Sequence, residues 1–386
     1  RGPTLCGMSE RMIVGVVGGG QLARMMAQEA IPLGIDLRFM VMSQDDPVAQ
    51  ISPHHTIGSP NSRDDLRRFA EGCDVLTFDH EVVDLAALRD LGENGCLMRP
   101  GAETFATVSD KALMRAALAA VEIPTPPAAV TRDPQEAAQI VRDQGPQVIK
   151  FVHGGYDGRG TFFVDDPADA ARIVEGAAGG AVLVEPRLDL LTELAVIVVR
   201  APDGDQVTYD PVATIQVDGQ CRRINAPADQ PAETLERAQH LAQRAAEAVD
   251  SVGVLAVEMF LTRDGLLVNE LAARPHNTGH HTLDAAVTSQ FANHLRAVCG
   301  LPLGSTELRS AAVTANIIGR NTDTDPRDRL AAGLAADPAA HIHLYDKAPR
   351  HDRKLGHVTV CDDVPDRAAD RAARVVDALG GQEVPR

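Results

Sequence analysis

Apolar runs and helical patterns alternate from the start of the chain. MIVGVVG (12–18) is a short, valine-rich run that ends in glycines, and a helical pattern follows from Gln21 to Leu33. Two further short runs, LRFMVM (37–42) and DVLTFD (74–79), have the length and composition of buried strands. Strand, helix and strand in this order predict a parallel α/β sheet. We expect a disordered lead-in at 1–10 and an N-terminal α/β domain at 11–107.

The rest of the chain mixes helices with strands. Ser109-Asp110-Lys111 opens a helix, with Ser109 as the expected N-cap. Strands are predicted at 146–150, 161–166, 181–186, 193–200, 311–319, 341–346 and 354–360, and helices at 134–143, 167–176, 231–250 and 366–379. LPLG (301–304) has the composition of a domain joint. We therefore predict a mixed α/β and α+β fold, with a second domain at 108–303 and a small β-rich third domain at 304–386.

Residues 252–271 form two apolar runs around a polar TRDG and predict a hairpin. A three-residue loop ending at Gly265 places Glu258 directly opposite Glu270. Like charges in opposed positions destabilise a sheet, and a hard cation such as Mg²⁺ between them reverses that effect. Asn269 adds an oxygen ligand beside them. Two alternatives remain: a two-residue turn puts the glutamates on opposite faces, and the pair could simply be solvated.

Two glycine-rich stretches are typical of phosphate contacts. GGYDGRGT (154–161) follows a strand that ends in Lys150 and predicts a mobile loop between two strands. The other stretch, Gly18 to Ala23, fits the dinucleotide fingerprint G-x-G-x-x-G/A after a strand, but the acidic residue expected about 20 positions later comes late, at Asp45-Asp46. A tightly packed helix N-terminus, or one that binds another phosphate, is the alternative.

Cations and polar side chains cluster in two later segments. KAPRHDRK (347–354) places four basic residues within one short stretch of an acidic chain, which indicates either a phosphate pocket or an ordinary solvated turn. RPHNTGH (274–280) follows the hairpin directly and is dense in hydrogen-bonding side chains. That density favours an oxyanion site over a surface loop.

Composition narrows the class of protein. Against 37 Lys and Arg there are 54 Asp and Glu, a net charge of −17 over 386 residues, which argues against broad nucleic-acid or anionic-membrane binding. The six cysteines are scattered, as expected for reduced thiols in the cytoplasm. No apolar run reaches the roughly 18 residues of a membrane span, and no signal peptide is recognisable. We expect a cytoplasmic protein with small-molecule partners, no nucleic acid and no membrane.

Several long stretches resemble one family of ATP-grasp ligases, the N5-carboxyaminoimidazole ribonucleotide synthetases of purine biosynthesis. They are GGGQLARM (18–25), GGYDGRG (154–160), NELAARPHNTGHHT (269–282), TSQF (288–291) and RKLGHVTV (353–360), and the resemblance spans residues 12–360. It implies an ATP-grasp fold with an N-terminal pre-ATP-grasp domain and, in solution, a homodimer. It also implies the carboxylation of 5-aminoimidazole ribonucleotide with ATP and bicarbonate, through carboxyphosphate.

The resemblance also implies roles for individual residues. ATP contacts would come from Lys111, Lys150, Gly155, Tyr156, Asp157, Gly158, Arg159, Gly160, Thr161, Glu185, Pro186, Arg187, Leu188, Glu193, Gln216, Asn269 and Glu270. Glu258 and Glu270 would hold Mg²⁺ or Mn²⁺. Catalytic contacts would come from Arg274, His276, Asn277, Tyr156, Asp157 and Arg159. The aminoimidazole ribonucleotide would meet Gly20, Gln21, Leu22, Glu81, Lys347, Arg353 and Lys354. The chain departs from the family pattern at Thr161, Ala213, Ala273, Ala292 and His351-Asp352.

Three rival functions are distinguishable. Another ATP-grasp ligase, such as a formate-dependent glycinamide ribonucleotide transformylase or a biotin carboxylase, shares Lys150 and the glutamate pair but not HNTGHH with RKLGH. An NAD-dependent oxidoreductase gives that pair no role. A non-catalytic nucleotide-binding regulator predicts a damaged hairpin, whereas the sequence of this hairpin is intact.

Overall fold

The computed structural model describes residues 12–154 and 160–385. Its strands are β1 (Ile13–Val17), β2 (Asp36–Val41), β3 (His55–Ile57), β4 (Val75–Phe78), β5 (Ala129–Thr131), β6 (Gln147–Phe151), β7 (Thr161–Val164), β8 (Val182–Pro186), β9 (Thr192–Arg200), β10 (Gln206–Thr208), β11 (Val212–Val217), β12 (Gln220–Ala226), β13 (Gly253–Thr262), β14 (Gly265–Ala272), β15 (Ala312–Ile318), β16 (His341–Leu344) and β17 (Lys354–Cys361). Its helices are α1 (Gln21–Leu33), α2 (Arg63–Ala70), α3 (Leu85–Glu93), α4 (Ala102–Ser109), α5 (Lys111–Ala120), α6 (Pro134–Gln144), α7 (Pro167–Gly176), α8 (Ala232–Ala248), α9 (Thr282–Ala285), α10 (Gln290–Cys299), α11 (Leu330–Ala336) and α12 (Pro365–Ala378), and Asn277–Gly279 forms a single 3₁₀ turn.

The N-terminal strands form a parallel sheet, as predicted. Its order is β3-β2-β1-β4, with β1 paired in parallel to both β2 and β4. Val14, Val16 and Val17 are fully buried in it, and helix α1 covers Val14 and Val16 through Leu22 and other residues of its apolar face. Since the sheet is covered on both faces, its strands consist of continuous apolar runs rather than alternating ones.

The predicted cap of helix α5 is wrong by one residue. Asp110 is the N-cap, and its Oδ1 accepts hydrogen bonds from the backbone N–H groups of Ala112 and Leu113. Ser109 instead ends helix α4, where its hydroxyl donates to the carbonyl of Phe105. Two helices abut here, so the serine belongs to the first and the aspartate caps the second. This junction fixes Lys111 at the first turn of α5.

A four-stranded antiparallel sheet carries the glycine loop. Its order is β5-β8-β6-β7, and helices α6 and α7 pack on it through a core that includes Ile149, Val164 and Val184. Strands β6 and β7 pair from Gln147 to Lys150, so the loop between them opens just beyond Lys150.

The largest sheet has nine strands in the described residues. Its order is β14-β13-β9-β11-β12-β15-β17-β16, with β10 paired to β9. The C-terminal strands β15, β16 and β17 therefore belong to the same sheet as the strands before them, joined to it by the antiparallel pair of β12 and β15. Side-chain contacts, such as that of His343 with Asp284, hold the residues after 340 against those that follow the hairpin of β13 and β14.

Helix α10 fastens the N-terminal sheet to the large one. Its His294 is fully buried, with Nε2 2.8 Å from the Thr77 hydroxyl of β4. The Nδ1 atom accepts the backbone N–H of Val254 in β13 at 3.1 Å. One imidazole thus bridges two sheets, and it can do so only in one neutral tautomer, with the proton on Nε2.

Candidate active site

The hairpin of β13 and β14 brings Glu258 opposite Glu270, but not by the predicted turn. Thr262 pairs with Gly265, so the loop has two residues rather than three. Continued without interruption, that register would put the glutamates on opposite faces. A bulge at Asn269 adds one residue to β14 and restores the pairing of Glu258 with Glu270. The predicted pair is confirmed, and the predicted loop is wrong.

The opposed carboxylates repel each other in a partly buried place. The Glu258 side chain is 31% exposed and that of Glu270 is 41% exposed. Burial, the negative charge of Glu270 and then that of Glu193 raise the pKa of Glu258 to about 7. A site that disfavours its own negative charge in this way binds a cation readily. Two carboxylates with the Asn269 amide beside them fit Mg²⁺, which takes a few protein oxygens and fills the rest with water and phosphate.

Lysines flank the glutamates on one side. Lys111 Nζ lies 2.7 Å from Glu270 Oε1. Lys150 Nζ lies 2.8 Å from Asn269 Oδ1 and 2.6 Å from Glu185 Oε2, and burial lowers its pKa. The bulge therefore serves two purposes, because it aligns the glutamates and turns Asn269 toward Lys150. The predicted cluster of Lys111, Lys150, Asn269 and Glu270 is brought together.

Arg115, which the sequence analysis missed, completes this cluster. It lies one turn after Lys111 on α5, is 8% exposed and pairs with the buried Glu185. Its other terminal nitrogen donates to the carbonyl of Val268 in β14 at 2.6 Å. Arg115 and Lys150 share the carboxylate of Glu185, and the negative charge of Glu270 also acts on both of them.

Two further predicted ATP contacts, Glu193 and Gln216, lie on the neighbouring strands β9 and β11. Glu193 of β9 stands opposite Phe260 of β13 and Thr214 of β11. Burial raises the pKa of Glu193, while a hydrogen bond from Gln216 and the charge of Lys150 act in the other direction. Glu193 and Gln216 are thus adjacent, as their shared assignment requires.

The segment 185–188, whose residues are also predicted ATP contacts, lies at the end of β8. Pro186 is the last residue of the strand, and the Arg187 N–H donates to the carbonyl of Pro146. The Arg187 guanidinium lies 5.6 Å from the centre of the Phe163 ring, and Leu188 follows, half-buried.

Part of the glycine loop lies outside the described residues. This applies to the predicted residues Gly155, Tyr156, Asp157, Gly158 and Arg159. On the far side of the loop, the Gly160 carbonyl accepts the N–H of Phe151, and Thr161 pairs with Lys150. The loop therefore leaves and re-enters the sheet beside Lys150.

The segment after the hairpin is held by Gln290, another residue that the sequence analysis did not assign. Gln290 Oε1 accepts the backbone N–H of His276, and its Nε2 donates to the His276 carbonyl at 2.7 Å. The ring Nδ1 of His276 lies 2.9 Å from the Thr278 hydroxyl, and its Nε2 is 3.9 Å from Glu258. Burial, followed by the charges of Arg274 and Lys354, holds the pKa of His276 well below its usual range. His276 is thus a neutral donor with a fixed backbone.

Asn277 adds unused hydrogen-bonding capacity. Neither its Nδ2 nor its Oδ1 has a partner among the described residues, although both atoms are buried. Buried amides are normally paired, so this side chain is suited to a small polar ligand. Arg274, two residues before His276, lies 2.8 Å from Glu81 of the N-terminal domain.

The N-terminal glycine turn is occupied by an acid. Asp79 Oδ2 accepts the N–H of Gly20 at 2.6 Å, and a Cβ on Gly18 would lie only 1.6 Å from Asp79 Oδ1. These glycines leave room for Asp79, whose carboxylate takes a donor that a pyrophosphate would need. The arrangement therefore disfavours a dinucleotide.

The predicted phosphate pocket surrounds the same turn. Lys347 Nζ donates a hydrogen bond to Gln21 Oε1 at 2.5 Å, although the two residues are 326 positions apart in the sequence. The Arg353 guanidinium donates to the carbonyl of Ala348, and burial lowers its pKa. Leu22 points its side chain into the core, so only its backbone can face a ligand.

Lysine use supports the placement of the site. The sequence has only four lysines, Lys111, Lys150, Lys347 and Lys354, against 33 arginines. Two flank the hairpin, one meets Gln21, and the charge of Lys354 acts on both Glu258 and His276. Every lysine therefore lies around this site.

Three family models together match most of the chain. The ribonucleotide synthetase preATP-grasp domain matches residues 11–109, the ATP-grasp domain matches 116–291, and the phosphoribosylaminoimidazole carboxylase C-terminal domain matches 312–371.

Individual proteins agree with these matches. The N5-carboxyaminoimidazole ribonucleotide synthase of Mycobacterium tuberculosis strain H37Rv is 46% identical over 354 residues, which cover 90% of this chain and 82% of the relative. The protein of the same name from Synechocystis is 39% identical, over 90% of this chain and 91% of its own. The N5-carboxyaminoimidazole synthase of Aspergillus clavatus, solved in complex with ADP and 5-aminoimidazole ribonucleotide, superposes with a TM-score of 0.88 at 33% identity and covers 96% of this chain and 99% of its own.

Proposed function

The chain belongs to the N5-carboxyaminoimidazole ribonucleotide synthase family of ATP-grasp ligases, and from this premise we propose that it carboxylates 5-aminoimidazole ribonucleotide in purine biosynthesis. The product is N5-carboxyaminoimidazole ribonucleotide. ATP and bicarbonate are the co-substrates, and ADP and phosphate are released. The Aspergillus clavatus relative was solved with ADP and the aminoimidazole ribonucleotide, which supports both as ligands of this chain.

The observation that carries the proposal is a continuous line of charges between the two predicted substrate positions. The charges of Lys111 and Lys354 both lower the pKa of Glu258. The charges of Lys354 and Arg274 both lower the pKa of His276. Arg274 and Lys347 in turn both act on Asp79, in the glycine turn of the N-terminal domain. An ATP site alone does not need the second half of this line, whereas a ligase that brings ATP to a second phosphorylated substrate needs both halves.

Phosphoryl transfer depends mainly on positioning and charge neutralisation. Lys111 and Lys150 would contact the ATP phosphates, exchanging part of their present pairing with Glu270 and Glu185. Arg115 keeps Glu185 paired during that exchange, because it holds the same carboxylate. The loop at 155–161 would cover the phosphates and exclude water from a labile intermediate.

Magnesium is proposed as the cation of the glutamate pair. Glu258 and Glu270 would hold it, with Asn269 adjacent, as the donor set and the raised pKa of Glu258 favour. Bound there, Mg²⁺ supplies neutralisation of the charge on the transferring phosphoryl group.

The loop after the hairpin would handle bicarbonate. A bicarbonate oxygen attacks the γ-phosphorus, the bond to ADP breaks, and carboxyphosphate forms. Arg274 and the neutral His276 Nε2–H are donors for its carboxylate oxygens, and Asn277 has both donors and an acceptor to spare. The exocyclic amine then attacks the carboxyl carbon, either of carboxyphosphate itself or of the CO2 that carboxyphosphate releases. On both routes phosphate is the leaving group and takes the amine proton.

The aminoimidazole ribonucleotide would lie between the N-terminal turn and the segment at 347–354. Lys347 and Arg353 would bind its 5′-phosphate, together with the turn at Gln21. Because Asp79 already holds the Gly20 N–H, that amide contributes only if the carboxylate withdraws. Glu81, now paired with Arg274, is the predicted contact to the imidazole.

The test is ADP release measured with each substrate omitted in turn. We expect turnover only when ATP, bicarbonate, the aminoimidazole ribonucleotide and Mg²⁺ are all present, and loss of turnover when a chelator removes the metal. Formate with glycinamide ribonucleotide serves as the rival pair. ADP release that does not depend on the aminoimidazole ribonucleotide, or that is faster with formate and glycinamide ribonucleotide, would refute the proposal.

A matched pair of variants tests the metal assignment. Glu270→Gln removes one carboxylate of the hairpin and should reduce turnover at least about a hundredfold, because it removes charge at the phosphoryl group. Glu233→Gln makes the same change on the exposed first turn of α8 and should leave turnover unchanged. Equal activity in the two variants would remove the hairpin from the mechanism.

Assembly and location are also proposed. We expect a homodimer in the cytoplasm, and exposed apolar side chains such as Ile31 and Phe163 provide surface for association. Among the described residues, no helix has the length and apolar character needed to cross a membrane. Light scattering on the purified chain measures the mass of the assembly.

A further inference from the structure

A group of histidines outside the proposed active site surrounds one aspartate. His341 and His343 are two residues apart on β16 and therefore face the same side of the sheet. His357 on β17 stands directly opposite His343. Asp284 of helix α9 lies against them, with its Oδ2 2.9 Å from His343 Nε2 and its Oδ1 3.3 Å from His341 Nδ1.

The ligand atoms are close enough for a single ion. One atom from each of Asp284, His343 and His357 lies within 4.8 Å of the other two. Two histidines at alternate positions of a strand, a third on the adjacent strand and a carboxylate make a set of nitrogen and oxygen donors that suits zinc. The sequence pattern of HIHLYD (341–346) predicts a strand and does not indicate a metal site.

A buried nitrogen without a partner is the second, independent observation. His357 is fully buried, and its Nε2 has no hydrogen-bond partner among the described residues. Its Nδ1 lies 2.7 Å from the Tyr345 hydroxyl. When Nδ1–H donates to Tyr345, Nε2 keeps its lone pair, which is how a second hydrogen bond commonly orients a metal-binding histidine.

We propose that Asp284, His343 and His357 bind one divalent transition-metal ion, with Zn²⁺ the best fit, and that His341 is the fourth ligand at the rim. The four side chains become progressively less exposed from the rim of the site to its interior. His341 is half exposed, His343 is 20% exposed, Asp284 is 9% exposed, and His357 is fully enclosed. A cavity of about 300 Å³ between α1 and β16 has His343 in its wall.

Binding requires one ring to turn. The rings of His343 and His357 stack 4.4 Å apart and 15° from parallel, and an imidazole nitrogen binds an ion in the plane of its ring. His357 is also stacked on His280 and is held by Tyr345, so it is fixed. The more exposed His343 is the ring that turns, within the reach of Asp284.

The ion would join two parts of the molecule. Asp284 lies in the short helix that follows the loop of His276 and Asn277, whereas the histidines belong to the C-terminal strands. Metal binding would hold the end of that loop against the C-terminal sheet. The expected role is structural, in addition to the Mg²⁺ of the glutamate pair.

The test is calorimetric titration of Zn²⁺ into the full-length, untagged and chelator-treated chain, with Mg²⁺ in excess to occupy carboxylate sites. We expect one Zn²⁺ per chain, at least about tenfold weaker binding in His343→Ala and a smaller loss in His341→Ala. His240→Ala, on the exposed face of α8, is the matched control and should bind like the unaltered chain. Circular dichroism checks that each variant is folded.

Cobalt gives a readout of the coordination itself. Co²⁺ bound by nitrogen and oxygen ligands in tetrahedral geometry absorbs visible light far more strongly than hydrated Co²⁺, so the unaltered chain should develop this band and His343→Ala should not. Zn²⁺ should then displace it. Absence of binding, or a band and affinity unchanged in the folded His343→Ala variant, would overturn the assignment.

Discussion

Acid should weaken the fold through His294, the imidazole that joins the N-terminal sheet to the large one. Burial lowers its pKa to about 3. The neutral ring donates from Nε2 to Thr77 and accepts the Val254 N–H at Nδ1. A second proton on Nδ1 would face that N–H, so the folded state resists protonation while the unfolded chain does not.

The size of the effect follows from the two pKa values. In the unfolded chain the ring titrates near its usual pKa of about 6.5. Between that value and about 3, the unfolded state binds more protons, so stability is lost as the pH falls through this window. At about pH 5, 1.5 units below the unfolded value, the loss is about 2 kcal/mol at about 1.36 kcal/mol per unit.

Three other buried histidines add to this loss. Burial lowers the pKa of His280, His281 and His357, that of His281 to about 4. His281 alone adds about 2 kcal/mol to the loss at about pH 5, because 1.5 units at about 1.36 kcal/mol per unit is about 2 kcal/mol. His280 and His357 act in the same direction.

The variant His294→Asn isolates one contribution. Its amide oxygen can still accept the Val254 N–H, but the side chain does not titrate and Thr77 loses its partner. The variant should be less stable near pH 8 by about 1–3 kcal/mol, and this deficit should shrink by about 2 kcal/mol near pH 5.

Urea unfolding followed by far-ultraviolet circular dichroism measures the difference, since the chain has no Trp. His240→Asn, on the exposed side of α8, is the control and should follow the unaltered chain at both pH values. A deficit for His294→Asn that stays constant from about pH 8 to about pH 5 would refute the reasoning.

Three further predictions concern the proposed active site. Gln290→Ala leaves the backbone N–H and carbonyl of His276 without their partner and should lower the free energy of unfolding by about 1–3 kcal/mol, which thermal melting measures. In steady-state kinetics, kcat should fall by a larger factor than the KM for ATP changes. Lys347→Met should raise the KM for the aminoimidazole ribonucleotide at least about tenfold while the KM for ATP holds, and a matching rise for ATP would contradict the placement of Lys347. Glu258→Gln should stabilise the metal-free chain above about pH 7 by about 1–2 kcal/mol, after discounting for the exposed third of the side chain, because the folded chain resists ionisation of Glu258. Calorimetry with and without Mg²⁺ measures this gain, and an unchanged stability would argue against repulsion between the two glutamates.

The fold was largely predictable because most of its strands carry clear apolar runs. The parallel N-terminal sheet and the long hairpin follow from such runs. The bulge at Asn269 does not, since its side chain meets Lys150, which is 119 residues away in sequence. Local turn chemistry predicted a three-residue loop, and a distant contact decided the register instead.

The site was predictable where residue type alone indicates chemistry. Glu258 and Glu270 stand out as acids within apolar runs, and the structure pairs them. Arg115 and Gln290 give no such signal, because an arginine on a helix is usually solvated and a glutamine is usually on the surface. Their importance lies in what they hold, a buried carboxylate in one case and a backbone segment in the other.

The scarcity of lysine is the signal in the sequence that could have located the site without a family. Arginine provides nearly all the cationic side chains of this chain, 33 against four lysines, and all four lysines lie around the proposed site. An ammonium is a compact point charge that moves between a carboxylate and a phosphate, whereas a guanidinium is broad and binds in a fixed planar fork. Lys111 and Lys150 already pair with carboxylates at the place where phosphates are proposed to bind. A lysine therefore suits a position where the charge is proposed to change partners, whereas an arginine suits position 115, where the Glu185 partner is kept.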